Sequence, residues 1–179
     1  MKNIVERGKM KTNINFYRLN IRKSRDVWPD ILKLGDLSII ALQEVSINQA
    51  ASVKGLKLVR CPKGRTAIAC IGKLDCVIVP DLCDSVTTTA LLNVNGKSFV
   101  VVSAYLESRK PLDFTLLSKI VDYSKNNRFE LLLGSDTNSH AETWGYSKQD
   151  ADQRGFQCES FLIPNGLIVA NTGGPTWWS

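Results

Sequence analysis

The chain has 179 residues, with 23 Lys+Arg against 17 Asp+Glu, one histidine, five cysteines and a hydrophobic fraction of 44%. A chain of this length buries about 70% of its unfolded surface without help from disulfides or a structural metal, which excludes a disulfide miniprotein and a disordered tail. No apolar run approaches the ~18 residues of a membrane helix, and the basic N-terminus lacks the apolar centre of a secretory signal, so an intracellular protein, nuclear or cytoplasmic, is expected, with a mitochondrial leader as the lesser alternative.

Asn13 to Asn20 places Ile14, Phe16 and Leu19 among polar residues and predicts a strand ending at Asn20. A helix follows, with Ser24 as its N-cap, Pro29 in its first turns, Val27, Trp28, Ile31, Leu32 and Leu34 on one face, and Gly35 closing it. Leu37 to Leu42 is nearly continuous apolar sequence, the mark of a strand covered on both faces, and it delivers Gln43 and Glu44 at its end. Short strands are predicted at Thr66 to Ile71 and Cys76 to Val79. Thr87 to Val94 and Lys97 to Tyr105 flank Asn95-Gly96, a strong hairpin signal. Leu112 to Tyr123 has helical spacing and Glu130 to Gly134 reads as another buried strand. Arg154 to Ile163 predicts a helix stopped by Pro164, Asn165 and Gly166, followed by a strand at Leu167 to Ala170. Apolar strands alternating with helices, plus an antiparallel hairpin, imply a layered α/β architecture with mixed sheets.

The charge is uneven. Residues 1 to 25 hold Lys2, Arg7, Lys9, Lys11, Arg18, Arg22, Lys23 and Arg25 against Glu6 alone, so this segment carries +7 and the remainder −1 of the net +6. A basic arm of this kind suits a polyanion, most often nucleic acid, and residues 1 to 11 read equally as a flexible solvated tail ahead of one domain over residues 12 to 179. Cys61, Cys70, Cys76, Cys83 and Cys158 form no two-residue-gap pair, so reduced, mostly buried thiols are expected. With His140 the sole histidine, a Cys/His metal site would need scattered ligands, and a Ser-His-Asp hydrolase gains no support.

Three polar positions stand where strands end: Asn20, Glu44, and Asp136 with Asn138. Strand ends open onto the usual crevice of layered α/β folds, although Asp and Asn there also serve simply as turn formers. Glu44 has no turn chemistry to justify it and offers hard oxygen to Mg²⁺ or Mn²⁺. In an extended segment Asp136 and Asn138 would point the same way, the carboxylate to align or deprotonate a water and the amide to bind a phosphate oxygen without repelling it. Such groups suit metal-assisted phosphodiester hydrolysis.

Asn20 in RLNIRKSR, Gln43-Glu44 in IIALQEV, Gly64 to Ile68 (GRTAI), Tyr105 in VVSAYLES, Gly134 to Gly145 (GSDTNSHAETWG), Arg154-Gly155 and Asn171 to Trp177 (NTGGPTW) occur in an order that resembles the endonuclease/exonuclease/phosphatase superfamily. Within it, the chain is most similar to the endonuclease domain of insect-type non-LTR retrotransposon polyproteins. The resemblance implies two mixed, mostly antiparallel sheets flanked by helices, with the last strands missing, because the family pattern runs on to a terminal Ser-Asp-His element and the sequence ends at Ser179 before it. It implies Glu44 as the ligand of Mg²⁺ (or Mn²⁺), supported by Asn20; Tyr105 on the scissile phosphate; Asp136 on the attacking water; and Asn138 on the phosphate. Thr176 would lie at the DNA backbone, with Arg22, Lys23 and Arg25 as further nucleic-acid contacts, while His140 falls in a variable loop. DNA is the implied partner, a reverse-transcriptase domain is expected in the full polyprotein, and no membrane is involved. Three readings remain open: a metal-dependent endonuclease that nicks target DNA to prime reverse transcription; a truncated, inactive remnant that at most binds nucleic acid; and another phosphoesterase of the superfamily, such as an abasic-site repair nuclease. Because the terminal element is absent, whether the chain is an active enzyme stays open.

Overall fold

A computed structural model describes residues 14–24, 26–35, 37–46 and 55–170. The chain forms β1 (Asn15–Asn20), α1 (Trp28–Leu32), β2 (Ser38–Gln43), β3 (Leu56–Val59), β4 (Thr66–Ile71), β5 (Cys76–Ile78), β6 (Thr87–Val94), β7 (Lys97–Tyr105), α2 (Thr115–Asn127), β8 (Glu130–Asp136) and α3 (Gln153–Leu162). One sheet has the order β1-β2-β4-β3 and the other β5-β6-β7-β8. In each sheet one pair is parallel, β1 with β2 and β7 with β8, and the remaining pairs are antiparallel.

The side-chain alternation of the strands explains the layering. On β2, Ile39 joins Ile68, Cys70, Cys76, Ala90, Leu92 and Val101 in a cluster between the sheets, while Ile40 and Leu42 face the other way, onto Trp28 and Ile31 of α1. Every residue of β2 is buried, as a strand covered on both faces must be. On β7, Val101 faces the inter-sheet cluster, whereas Val100, Val102 and Ala104 pack under Leu117, Ile120 and Val121 of α2 and Phe161 of α3. The result is a helix–sheet–sheet–helix sandwich with three apolar layers.

Two contacts hold the sheets together just beneath the ends of β2 and β8. A Cβ on Gly134 would lie 2.4 Å from Ala41 Cβ and 3.2 Å from the Phe16 ring, so only glycine allows the sheets to approach so closely there. Beside it, buried Gln43 donates from Nε2 to Ser103 Oγ (3.0 Å), Gly134 O (3.2 Å) and Ala41 O (3.2 Å), and Ser103 Oγ donates back to Leu42 O (2.8 Å). Gln43→Leu removes the donor from three buried acceptors and is expected to cost about 1–3 kcal/mol, read as a lower urea midpoint with unchanged slope.

Several elements differ from expectation. α1 is a short helix whose N-cap position is Val27, because Pro29 fits the first turn; Ser24 Oγ instead accepts from Asp26 N (3.2 Å) in a local turn. α2 starts at Thr115, since Asp113 Oδ1 takes the Thr115 N–H (2.9 Å), and it ends on Arg128 in the left-handed region at φ 58°. β3, a four-residue edge strand, carried too short a pattern to be anticipated. The strand expected at Leu167 to Ala170 is irregular chain, and Ile168 there is exposed. The hairpin forms as expected, with Asn95 and Gly96 at φ 52° and 77°. All five cysteines are free, and Cys70 and Cys76 touch between the sheets (Sγ–Sγ 2.8 Å). Among the described residues no helix is long and apolar enough to cross a membrane. The basic segment 1 to 11 lies outside the described residues.

Candidate active site

Parallel strands end at the same edge of a sheet, and this places the site. The register Asn20↔Gln43 brings the C-terminal ends of β1 and β2 side by side, and Tyr105↔Asp136 does the same for β7 and β8. Because Gln43 and Gly134 hold the sheets together just below, the two pairs of strand ends meet in one cluster. Asn20 bridges them: its Nδ2 donates to Glu44 Oε1 (2.8 Å) on its own sheet and to Asp136 Oδ2 (2.6 Å) on the other. Its Oδ1 accepts from Arg22 N (3.0 Å), which fixes the orientation of the amide so that both hydrogens face the carboxylates.

Glu44 stands just past β2 at φ 54°, an uncommon conformation for a residue with a Cβ. Lys23 N donates to its carbonyl (2.8 Å) and the next residue, Val45, donates to Arg65 O (2.9 Å), so the surrounding backbone holds the turn in place. Oε2 of Glu44 faces Arg65 Nη2 at 3.9 Å. Among the described residues no group of three or more His, Cys, Asp or Glu side chains could enclose a metal. The donor set nonetheless fits Mg²⁺, which is commonly held by one or two carboxylates together with water and substrate phosphate.

Asp136 closes β8. Its Oδ1 pairs with Arg18 Nη2 (2.9 Å) and accepts from Asn138 N (3.3 Å), and its side chain is only 15% exposed. Asn138 departs from the expected extended geometry: the strand ends at Asp136, and Asn138 sits in the left-handed region at φ 47°. Its exposed Nδ2 donates to Leu106 O (3.0 Å), leaving the second amide hydrogen to serve another acceptor. Tyr105 is 9% exposed, and the Arg65 guanidinium lies 4.6 Å from its ring centroid.

Residues that the sequence left without a role complete the cluster. Arg65 also pairs with Glu107, which Lys110 bonds in turn; the Lys110 hydrogen bond, and then the Arg65 charge, hold the Glu107 carboxyl below its usual range. Arg18 had a usable signal, since it lies two residues before Asn20 on the same strand and so on the same face. Arg65 had none beyond its motif: the Gln43↔Thr66 register, which sets it beside Glu44, is a tertiary fact.

Of the remaining candidates, Arg22 and Lys23 form the exposed turn after β1, at φ 45° and 61°, next to Asn20. Arg25 and Thr176 lie outside the described residues. His140 is in a loop, with Nδ1 3.3 Å from Asp152 Oδ2 and its ring against Tyr146.

The model of a family described as endonuclease-reverse transcriptase matches residues 99–179. Among solved structures, the endonuclease domain of TRAS1, a telomere-specific non-LTR retrotransposon, superposes with a TM-score of 0.71 at 21% sequence identity, covering 92% of this chain and 77% of that one. No curated protein sequence matches the chain. The resemblance expected from the motifs and the two-sheet α/β class therefore both hold. Asn20 and Glu44 lie outside the segment the family matches, and the fold brings them against Asp136 within it.

Proposed function

We propose that the chain is the metal-dependent DNA endonuclease module of a non-LTR retrotransposon, nicking target DNA to leave a 3′ hydroxyl that primes reverse transcription by a polymerase domain of the same polyprotein. The observation that carries this reading is the Asn20 amide joining Glu44 to Asp136 across the two sheets. It sets a carboxylate suited to a metal ion beside one suited to direct water, with a neutral amide between them and Arg18 and Arg65 against the two carboxylates.

In this reading Glu44 holds Mg²⁺, or Mn²⁺ in its place, and Asn20 keeps the Glu44 carboxylate oriented. A bound divalent ion supplies Lewis-acid polarisation of the phosphodiester. Asp136 accepts a hydrogen bond from the attacking water. Its pairing with Arg18 holds the carboxylate in place, so that it can orient the water. Asn138 offers its second amide hydrogen to a phosphate oxygen, and the Tyr105 hydroxyl approaches the same phosphate, with its ring held under Arg65. Arg22, Lys23, Arg25 and Thr176, together with the basic segment 1 to 11, contact the DNA backbone.

The test is nicking of supercoiled plasmid with Mg²⁺ by wild type, Glu44→Gln and Asp136→Ala. Open-circular product from wild type and little from either variant is expected; equal silence with intact DNA binding, or equal cleavage by all three, overturns the reading. Duplex binding is expected to weaken by about 0.9 log units per log unit of salt for each phosphate neutralised. A flat salt response in a filter-binding series would remove the basic segment from the interface.

A further inference from the structure

Arg154 is the second residue of α3, after the Asp152 N-cap, where a cation opposes the helix dipole. Among the described residues no acid pairs with its guanidinium, which is committed to backbone oxygens from two different loops: Nε to Thr137 O (2.9 Å), Nη1 to Lys110 O (2.8 Å), and Nη2 to both Leu106 O (3.1 Å) and Glu107 O (3.0 Å). Thr137 separates Asp136 from Asn138, and Leu106 and Glu107 directly follow Tyr105. Leu106 O is shared, accepting from Asn138 Nδ2 as well, while Leu106 N donates to Asp136 O (2.8 Å).

We infer that Arg154 is a positioning residue: through these four carbonyls it sets the loop after β7 against the loop after β8, and thereby the placement of Asn138 relative to Tyr105 and Asp136. A guanidinium suits this task because its fixed fork of donors reaches acceptors in several directions at once, whereas a lysine ammonium presents its donors from a single point. This explains a basic residue in a helical turn that disfavours one. The part of the inference that concerns rate rests on the proposed endonuclease function; the part that concerns loop order does not.

The test compares wild type, Arg154→Lys and Arg154→Gln by two measurements. In amide hydrogen exchange, Leu106 and Asn138 are expected to exchange about tenfold or more faster in both variants, while the α2 and β6 amides stay at wild-type rates. In Mg²⁺-dependent nicking, kcat is expected to fall about 10- to 100-fold with KM within about twofold, because Arg154 orders groups that act on the phosphate without touching it. Arg154→Lys keeps the charge and the stem, so it gives the reading if Arg154→Gln does not fold. Unchanged exchange at Leu106 and Asn138 in the folded variants overturns the inference, and so does a rise in KM at constant kcat, which would make Arg154 a DNA contact. If wild type itself does not nick, the endonuclease proposal fails and the exchange result still decides the role of Arg154.

Discussion

Under the proposed endonuclease function, Asp136→Asn is expected to lower Mg²⁺-dependent nicking by about 10²- to 10⁴-fold, the usual loss when a water-directing group goes. Asparagine keeps the shape of the side chain and one oxygen for the Asn20 amide or for Arg18, but not for both, and its NH₂ cannot accept a proton or hydrogen bond. The ion pair with Arg18 is half-buried, so its loss lies between the ~0–1 kcal/mol of exposed pairs and the ~3–5 kcal/mol of buried ones. The variant should therefore fold, with wild-type circular dichroism and a lowered melting temperature. A folded Asp136→Asn that nicks at the wild-type rate would remove Asp136 from the chemistry and leave the Asn20 bridge as a purely structural link.

Gly155→Ala carries the largest expected loss of stability. A Cβ there would lie 1.9 Å from His140 O and 2.6 Å from its carbonyl carbon, both backbone atoms with no rotamer to yield. The loop at His140 cannot easily retreat, because its N–H donates to Asp152 Oδ2 (3.1 Å) and its carbonyl accepts from Asp152 N (2.9 Å), while Asp152 Oδ1 caps α3 through Gly155 N (2.6 Å). Relief requires moving the cap, the helix start and Arg154 together. The cost should exceed the ~1–3 kcal/mol of ordinary overpacking, a large share of a total stability of about 5–15 kcal/mol. Gly96→Ala is the control: unlike Gly155 it has positive φ, but with open space around it, and should cost only about 1 kcal/mol. Equal urea midpoints for the two variants would show that α3 does not pack on the His140 loop this closely.

Both predictions turn on contacts between segments far apart in the chain, and this marks what could be read in advance. Local pattern was enough for the elements whose burial is expressed along one strand or helix. The unbroken apolar run before Gln43 made β2 a doubly covered strand, Asn95-Gly96 made the β6–β7 hairpin, and the Leu117, Ile120, Val121 spacing made α2. Where the pattern was short or capping decided, it failed: β3 is a four-residue edge, α1 begins at Pro29's convenience rather than at Ser24, and residues 167 to 170 gain no strand partner among the described residues.

The same division holds at the site. By itself the sequence determined that Asn20, Glu44 and Asp136 stand at strand ends, because strand periodicity is local; its motifs determined the resemblance that adds Tyr105 and Asn138 and gives these groups roles. Only the tertiary structure decided that Asn20 spans Glu44 and Asp136, since that needs two parallel strand pairs in separate sheets to end at one level. Only it placed Arg18 on Asp136, Arg65 over Tyr105 and Arg154 across two loops. A guanidinium on a long, flexible stem finds its partner through packing and register, and neither is written in the residues next to it.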